Sequence, residues 1–164
     1  MTVDQEYALA LYGVPGIGTR LHARLTARFG SPAAVFDAPF DALMAVQGMT
    51  APAAERIRSF DRAAFVTRQR EQLERIGGMV IGRNEPGYPP MLDAFPSAPP
   101  VLFVRGDASA LLDPSVAVVG TRGETEYGRR MTRAMAEGLV DAGLTVVSGM
   151  ACLLYTSPSP RDRS

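Results

Sequence analysis

Two glycine-containing loops of this 164-residue chain combine residue types that can hold a phosphate group. The first loop, Gly120-Thr121-Arg122, follows the β-branched run Val116–Val119, and the second, Ser148-Gly149, follows Leu144–Val147. Backbone N–H groups freed by glycine, a hydroxyl and a forked guanidinium all suit phosphate oxygens. We therefore predict one phosphate-binding site shared by both loops. Its predicted members are Gly120, Thr121, Arg122, Ser148 and Gly149.

These loops are positioned by a predicted strand–helix–strand unit. Helical spacing of apolar residues from Thr125 to Ala142 separates the two runs, and Gly143 suits a left-handed helix cap. Such a βαβ unit should have parallel strands, and ligands of parallel sheets bind beyond the carboxyl ends of the strands. The sequence therefore predicts both loops at the same sheet edge.

A second candidate site lies near the amino terminus. The sequence Gly13-Val14-Pro15-Gly16-Ile17-Gly18 separates a helix predicted over Gln5–Tyr12 from one predicted over Thr19–Phe29, with Thr19 as N-cap. Helix, glycine-rich turn and helix together resemble the helix-hairpin-helix motif, whose turn binds a DNA phosphate without base specificity. A turn that only packs two helices is the open alternative. The secondary DNA contacts that we predict at this hairpin are Gly16, Gly18, Arg20 and Arg24. Two further secondary contacts, Arg129 and Arg130, are predicted on the helix that follows the Gly120-Thr121-Arg122 loop.

The rest of the chain divides into helical and mixed parts. Ser31-Pro32 and Pro39 should begin short helices, Gln47–Ala51 resembles a degenerate second hairpin, and one long helix is predicted over Ala51–Ile76. Strands are predicted at 79–81 and 101–104. We predict a helical module over residues 1–77, helix-hairpin-helix or SAM-like, and the start of a Rossmann-like parallel-sheet domain over 78–151, an α/β fold class.

Composition narrows the function classes. Arginine supplies all 17 basic residues and the net charge is zero, with nine arginines and six acidic residues between positions 20 and 75. Arginine favours forked phosphate contacts, although a solvated helix face is the simpler interpretation. Cys152 is the only cysteine, so disulfides and cysteine-rich metal sites have no support. Acidic residues stand where a signal peptide would be basic, and no apolar run could span a membrane, so we expect a cytoplasmic protein. We also expect no metal and no cofactor.

The last thirteen residues do not continue the pattern. Pro158 and Pro160 forbid the next helix of a doubly wound fold, and Cys152–Asp162 resembles a translated sequencing-adapter segment. We therefore expect residues 152–164 to be an artefactual tail.

Several motifs together resemble one known family. Tyr88-Pro89, Pro100, Leu102-Phe103 and Arg105-Gly106 precede the G-T-R loop in an order and spacing similar to the DNA-processing protein A (DprA/Smf) family. The resemblance implies a Rossmann-like core that binds single-stranded DNA as a dimer and loads RecA recombinase during natural transformation. It implies phosphate contact at Gly120, Thr121, Arg122, Ser148 and Gly149. The family's next segment contains an arginine, but Cys152 stands after Ala151 in this chain.

Two other function classes compete with DNA binding. A Rossmann-like nucleotide enzyme, such as a nucleoside-monophosphate phosphoribohydrolase, needs a carboxylate beside the phosphate, for which Glu124 and Glu126 are the local candidates. Acidic residues at a helix start more commonly serve the helix dipole, so we expect no enzyme activity. A dinucleotide-dependent oxidoreductase is disfavoured because Gly120-Thr121-Arg122-Gly123 is not the G-x-G-x-x-G fingerprint.

Overall fold

The computed structural model describes residues 1–120 and 125–149, which form a mixed helix-and-sheet fold, as predicted. The chain divides into two compact units, Met1–Leu111 and a second that begins at Leu112. In the described residues the helices are α1 (Val3–Gly13), α2 (Thr19–Phe29), α3 (Pro32–Phe36), α4 (Phe40–Met44), α5 (Ala51–Ser59), α6 (Arg62–Ile76), α7 (Pro90–Asp93) and α8 (Glu126–Asp141). The strands are β1 (Gly78–Gly82), β2 (Val101–Arg105), β3 (Ser115–Ala117) and β4 (Thr145–Val147).

Helices α1–α5 enclose the main core of the first unit. This core is aliphatic and continuous, and its largest fully buried side chains include Leu11, Leu25, Leu43 and Ile57. Ser31 and Thr50 cap α3 and α5 with their hydroxyls, as their sequence positions indicate. The capping residue of α2 is Gly18, however, and Thr19 is the first helical residue, so the predicted Thr19 cap is wrong.

The long helix predicted over Ala51–Ile76 is also wrong, because the chain breaks between α5 and α6. Phe60 adopts an extended conformation, and its ring packs against Phe65 with centroids 5.2 Å apart. The carboxylate of Asp61 then accepts a hydrogen bond from the N–H of Ala64 at 3.0 Å and begins α6. An Asp side chain that hydrogen-bonds to a nearby backbone N–H stabilises the start of a new helix, and this competes with continuation of the preceding helix through the same residue.

Strands β1 and β2 form an antiparallel pair in the first unit, from Gly78 opposite Arg105 to Gly82 opposite Val101. A second core cluster joins this pair to the helices through Leu9, Leu73, Val80 and Val101. The unit therefore includes β1 and β2 together with the helices. The predicted domain boundary at Gly77-Gly78 was based on a change in sequence composition, whereas the two compact units are defined by contacts in space. The predicted boundary stays a prediction.

In the second unit, β3 and β4 pair in parallel, with Val116 opposite Val146, and α8 connects them as predicted. Gly143 has the expected left-handed backbone, at φ +77°. The buried face of α8 differs from the apolar pattern: Thr132 and Ala136 are buried, whereas Met131 and Met135 are exposed. The two methionines therefore lie on a side of α8 that the described residues leave open, at 43% and 56% exposure.

Candidate nucleic-acid interface

The carboxyl ends of β3 and β4 meet at one edge, as the phosphate-site prediction requires. The N–H of Val118 donates to the carbonyl of Val147 at 2.9 Å, so the pairing continues one residue beyond β3. Gly120 follows this point on one side, and Ser148 and Gly149 follow it on the other. The structure therefore places these three predicted residues beyond adjacent strand ends. Thr121 and Arg122 lie outside the described residues, as do Met150, Ala151 and the tail over 152–164.

Helix α8 begins at Glu126, six residues after Gly120 in the sequence. The hydroxyl of Thr125 accepts a hydrogen bond from the N–H of Gly128 at 3.1 Å and caps the helix. Glu126 lies in the first turn, where a carboxylate interacts favourably with the helix dipole. Arg129 and Arg130 follow in the next turn with exposed side chains. The position of Glu126 fits the electrostatic role that we expected of it, and Glu124 is outside the described residues.

The predicted hairpin between α1 and α2 is formed. The N–H of Ile17 donates to the carbonyl of Val14 at 3.0 Å, and Gly16 has φ +97°, a value that favours glycine. No side chain caps α2, whose preceding residue is Gly18. The first N–H groups of α2 therefore have no side-chain acceptor, and Arg20 is exposed in the same turn.

A second hairpin between α4 and α5 repeats this geometry. The N–H of Met49 donates to the carbonyl of Val46 at 3.0 Å, and Gly48 has φ +90°. An offset of 32 residues relates the two hairpins in sequence. The corresponding pairs are Leu11 and Leu43, Val14 and Val46, Gly16 and Gly48, Arg24 and Arg56, and Leu25 and Ile57. The predicted degenerate hairpin at Gln47–Ala51 is thus confirmed as a turn. The similarity between the two hairpins also includes the flanking helices, which the resemblance of the turns alone did not indicate.

The two hairpins hold each other through reciprocal hydrogen bonds. Arg24 Nη1 donates to the carbonyl of Gln47 at 2.9 Å, and Arg56 Nη1 donates to the carbonyl of Pro15 at 3.2 Å. Donor and acceptor occupy the same positions in the two repeats. Each bond uses Nη1 of a guanidinium that has five N–H donors, so both arginines can also contact a phosphate.

His22 of α2 is a packing residue and not a ligand. Its side chain is buried, its Nε2 donates to the carbonyl of Ala8 at 3.2 Å, and its ring lies edge-on to that of Tyr12. Burial lowers the pKa of His22 to about 4, against a smaller opposing effect of the bond to Ala8. The ring is therefore neutral at physiological pH.

The connector between β1 and β2 contains Tyr88, a residue of the motifs quoted above, and its contacts and those of Arg83 stabilise the structure. Arg83 binds the Asp93 carboxylate at 2.5 Å and the Asp93 carbonyl at 2.8 Å, and the Tyr88 hydroxyl donates to the carbonyl of Pro99 at 2.7 Å. Partial burial raises the pKa of Tyr88, with Arg83 opposing and Asp93 adding to the shift. These contacts fix the turn that leads into β2.

Comparison with known proteins defines the class. Residues 79–152 match the family described as DNA recombination-mediator protein A. A protein Smf of Synechocystis is 33% identical over 152 residues, which cover 90% of this chain and 38% of that protein. Protein Smf of Escherichia coli is 37% identical over 104 residues, which cover 63% of this chain and 28% of that protein. DNA processing protein DprA of Bacillus subtilis is 34% identical over 65 residues, which cover 39% and 22% respectively.

The chain therefore belongs to the DprA/Smf family, whose members are named for DNA processing and DNA recombination. It spans 22–38% of the length of these three relatives. Over residues 1–120 and 125–149, no helix is long and apolar enough to cross a membrane, and no group of three His, Cys, Asp or Glu residues could hold a metal ion.

Proposed function

We propose that the protein binds single-stranded DNA and loads RecA recombinase onto it during DNA uptake, without catalysing a reaction itself. The phosphate contacts are made by Gly120, Thr121, Arg122, Ser148 and Gly149. The observation that carries this proposal is the parallel pairing of β3 and β4, which brings the two loop starts to one sheet edge. Family membership supports DNA as the ligand.

Additional contacts come from exposed arginines and from the first hairpin turn. Arg129 and Arg130 on α8 extend the phosphate site along the bound DNA strand. Gly16, Gly18, Arg20 and Arg24 add DNA contacts in the first unit. The protein acts in the cytoplasm as a homodimer, with RecA as its partner. Glu126 stabilises the start of α8, which leaves the described part of the site without a carboxylate placed for hydrolysis.

The direct test compares Arg122→Ala with Arg68→Ala, a matched loss of charge at an exposed position of α6. We expect Arg122→Ala to weaken binding of a labelled single strand several-fold and to reduce the salt slope by about 0.7, the value for one lost phosphate contact. Fluorescence anisotropy at several salt concentrations measures both quantities. An unchanged slope would remove Arg122 from the phosphate site.

RecA loading needs a separate measurement. We expect the protein to shorten the lag before RecA covers single-stranded DNA, and Arg122→Ala to restore the lag. Incubation with nucleoside monophosphates should release no free base. Base release that depends on Glu126 would instead favour the phosphoribohydrolase alternative.

A further inference from the structure

A cavity of about 780 Å³ lies within the first unit, between helices α1 and α2 and the β1–β2 connector. Its wall is formed by the start of α1, one side of α2, the end of β1 and the connector that follows. The volume is in the range of sites that hold small organic molecules, about 300–1,000 Å³. None of the predicted DNA contacts of the first hairpin is among the described residues that line it. The cavity is therefore separate from the proposed DNA contacts.

The charges on the cavity wall leave an excess of carboxylates. Asp4, Glu85 and Asp93 line the cavity together with Arg83. Arg83 is already engaged, because its Nε donates to the Asp93 carboxylate at 2.5 Å. Within the described ranges, Asp4 and Glu85 form no ion pair. The wall thus carries two negative charges that no protein cation compensates in the part of the chain that the structure describes.

The Glu85 carboxylate is held through one oxygen, which leaves the other available. Its Oε2 accepts hydrogen bonds from the N–H of Gly82 and from Nε2 of Gln5, both at 2.7 Å. Gln5 Nε2 also donates to the carbonyl of Val80 at 3.2 Å, which ties the pair to β1. Among the described residues, Oε1 accepts no hydrogen bond. A group that is already fixed loses little freedom when a ligand binds.

Gly82 provides the room for this carboxylate. A Cβ atom at position 82 would lie 2.9 Å from the Cδ atom of Glu85 and 3.1 Å from its Oε2. An alanine there would displace the carboxylate, since the side chain can move more easily than the strand. The position of the Glu85 carboxylate in the wall therefore depends on glycine at position 82.

The wall suits an organic cation better than a phosphate or a metal ion. A phosphate would meet two carboxylates, and burial keeps the pKa of His22 at about 4, so its ring adds no positive charge. Over residues 1–120 and 125–149, no group of three His, Cys, Asp or Glu residues could hold a metal ion. Ala8, Ala23 and Ala27 offer apolar surface to methylene groups. A short aliphatic amine matches both the charge and the apolar part of the wall.

We propose that this cavity binds a small aliphatic amine, with an ammonium group on Glu85 Oε1 and methylene groups along the alanines of α1 and α2. Asp4, which is exposed, takes a second ammonium group, so a short diamine binds more tightly than a monoamine. The bound amine joins α1, α2 and the connector and stabilises the folded first unit by mass action. The proposal does not depend on the DNA role, because it uses neither the two loops nor the exposed arginines.

The test titrates the whole chain with 1,4-diaminobutane, and with butylamine as the comparison that has one charge, at constant ionic strength. Isothermal titration calorimetry measures the affinity, and thermal unfolding measures the stabilisation by the bound amine. We expect saturable binding of the diamine, several-fold tighter than that of butylamine. Asp4→Asn should reduce the affinity for the diamine to that for butylamine.

Two further variants address the cavity itself. Glu85→Gln removes the charge and keeps an oxygen that can accept from Gly82, and it should weaken diamine binding about ten-fold, because a charge-assisted hydrogen bond is lost. Ala23→Met fills the cavity without changing its charge and should abolish binding. Glu74→Gln is the charge-matched control at an exposed position of α6 and should bind as the wild type does. Circular dichroism checks that the variants fold.

The outcomes separate a site from general charge attraction. Absence of saturable binding would overturn the proposal, and so would binding that Glu85→Gln leaves unchanged. Equal losses in Glu85→Gln and Glu74→Gln would show attraction to the overall negative charge and would overturn it as well. Arg122→Ala should bind the diamine normally, so the amine site and the proposed DNA site succeed or fail separately.

Discussion

Arg24 of α2 and Gln47 of the second turn are joined by a hydrogen bond of 2.9 Å from guanidinium to backbone carbonyl. The bond fixes one hairpin against the other and directs the Arg24 charge toward a glycine turn. A Cβ atom at Gly48 would lie 3.2 Å from Arg24 Nη1, so the glycine also provides room for the guanidinium. The position of the Arg24 guanidinium and the conformation of the turn at Gly48 are thus set together.

The two hydrogen bonds from Arg24 and Arg56 to turn carbonyls should contribute to stability, whereas the neighbouring arginines Arg20 and Arg28 should not. We expect Arg24→Ala and Arg56→Ala each to lower the free energy of unfolding by about 1 kcal/mol, because each leaves a turn carbonyl without its donor. Arg20→Ala and Arg28→Ala are the matched controls, since neither side chain holds a turn. Urea unfolding measures the four variants. Equal effects for all four would show that the two hydrogen bonds to the turn carbonyls add nothing to stability.

The buried His22 should make stability depend on pH. Its pKa is lowered from 6.5 to about 4 by burial, so the unfolded chain binds the proton more strongly. Stability is therefore complete above about pH 6.5 and is lost as pH falls toward 4, by about 3 kcal/mol in total.

His22→Gln removes this titration and keeps a polar side chain. We expect its unfolding free energy to change less than that of the wild type between pH 7 and pH 5, where most carboxylates stay ionised. Parallel slopes for the two proteins would contradict the assigned shift. The absolute stability of the variant is not the readout, because the bond to Ala8 is also altered.

The Tyr88 hydroxyl should stabilise the connector between β1 and β2. Tyr88→Phe removes its bond to the Pro99 carbonyl and should cost about 1 kcal/mol, the usual net value of such a bond. Tyr12→Phe is the control, since the Tyr12 hydroxyl makes no hydrogen bond in the described ranges. Thermal unfolding of both variants measures the difference, and equal midpoints would refute the role of the hydroxyl.

The second unit should exchange its amide hydrogens faster than the first. Val116, Val119 and Val147 are 38%, 85% and 51% exposed, so its strands bury little apolar surface. Parallel strands normally have both faces covered. Hydrogen exchange should show strong protection in α2 and α5 and weak protection in β3, β4 and α8. Uniform protection across 116–147 would contradict this expectation.

Local signals in the sequence predicted much of this structure. The caps at Ser31 and Thr50, the strand–helix–strand order and the left-handed Gly143 follow from nearby residues. The break at Phe60 was missed because apolar spacing continues through it, while the capping ability of Asp61 becomes decisive only when Phe60 packs against Phe65. The buried face of α8 was misjudged for a related reason. Hydrophobicity favoured Met131 and Met135, but the apolar spacing does not show which side of the helix the rest of the unit covers, and both side chains are exposed.

The candidate site was predictable in its elements and less so in its contacts. Glycine turns could be identified from Gly16 and Gly48, and the two loops at the sheet edge from Gly120 and Ser148. The reciprocal bonds of Arg24 and Arg56 join residues 23 and 41 positions apart, which local patterns cannot predict. The signal that could have found them is the 32-residue offset, which places identical arginines in both halves.

The exchange of arginines between the two hairpins makes each turn depend on the other repeat. Arg24 holds the turn at Gln47 and Arg56 holds the turn at Pro15, so a substitution in one repeat removes a contact from the turn of the other. The two repeats are not equivalent, since Thr50 caps α5 and no side chain caps α2. A change in one hairpin is therefore felt first in its counterpart.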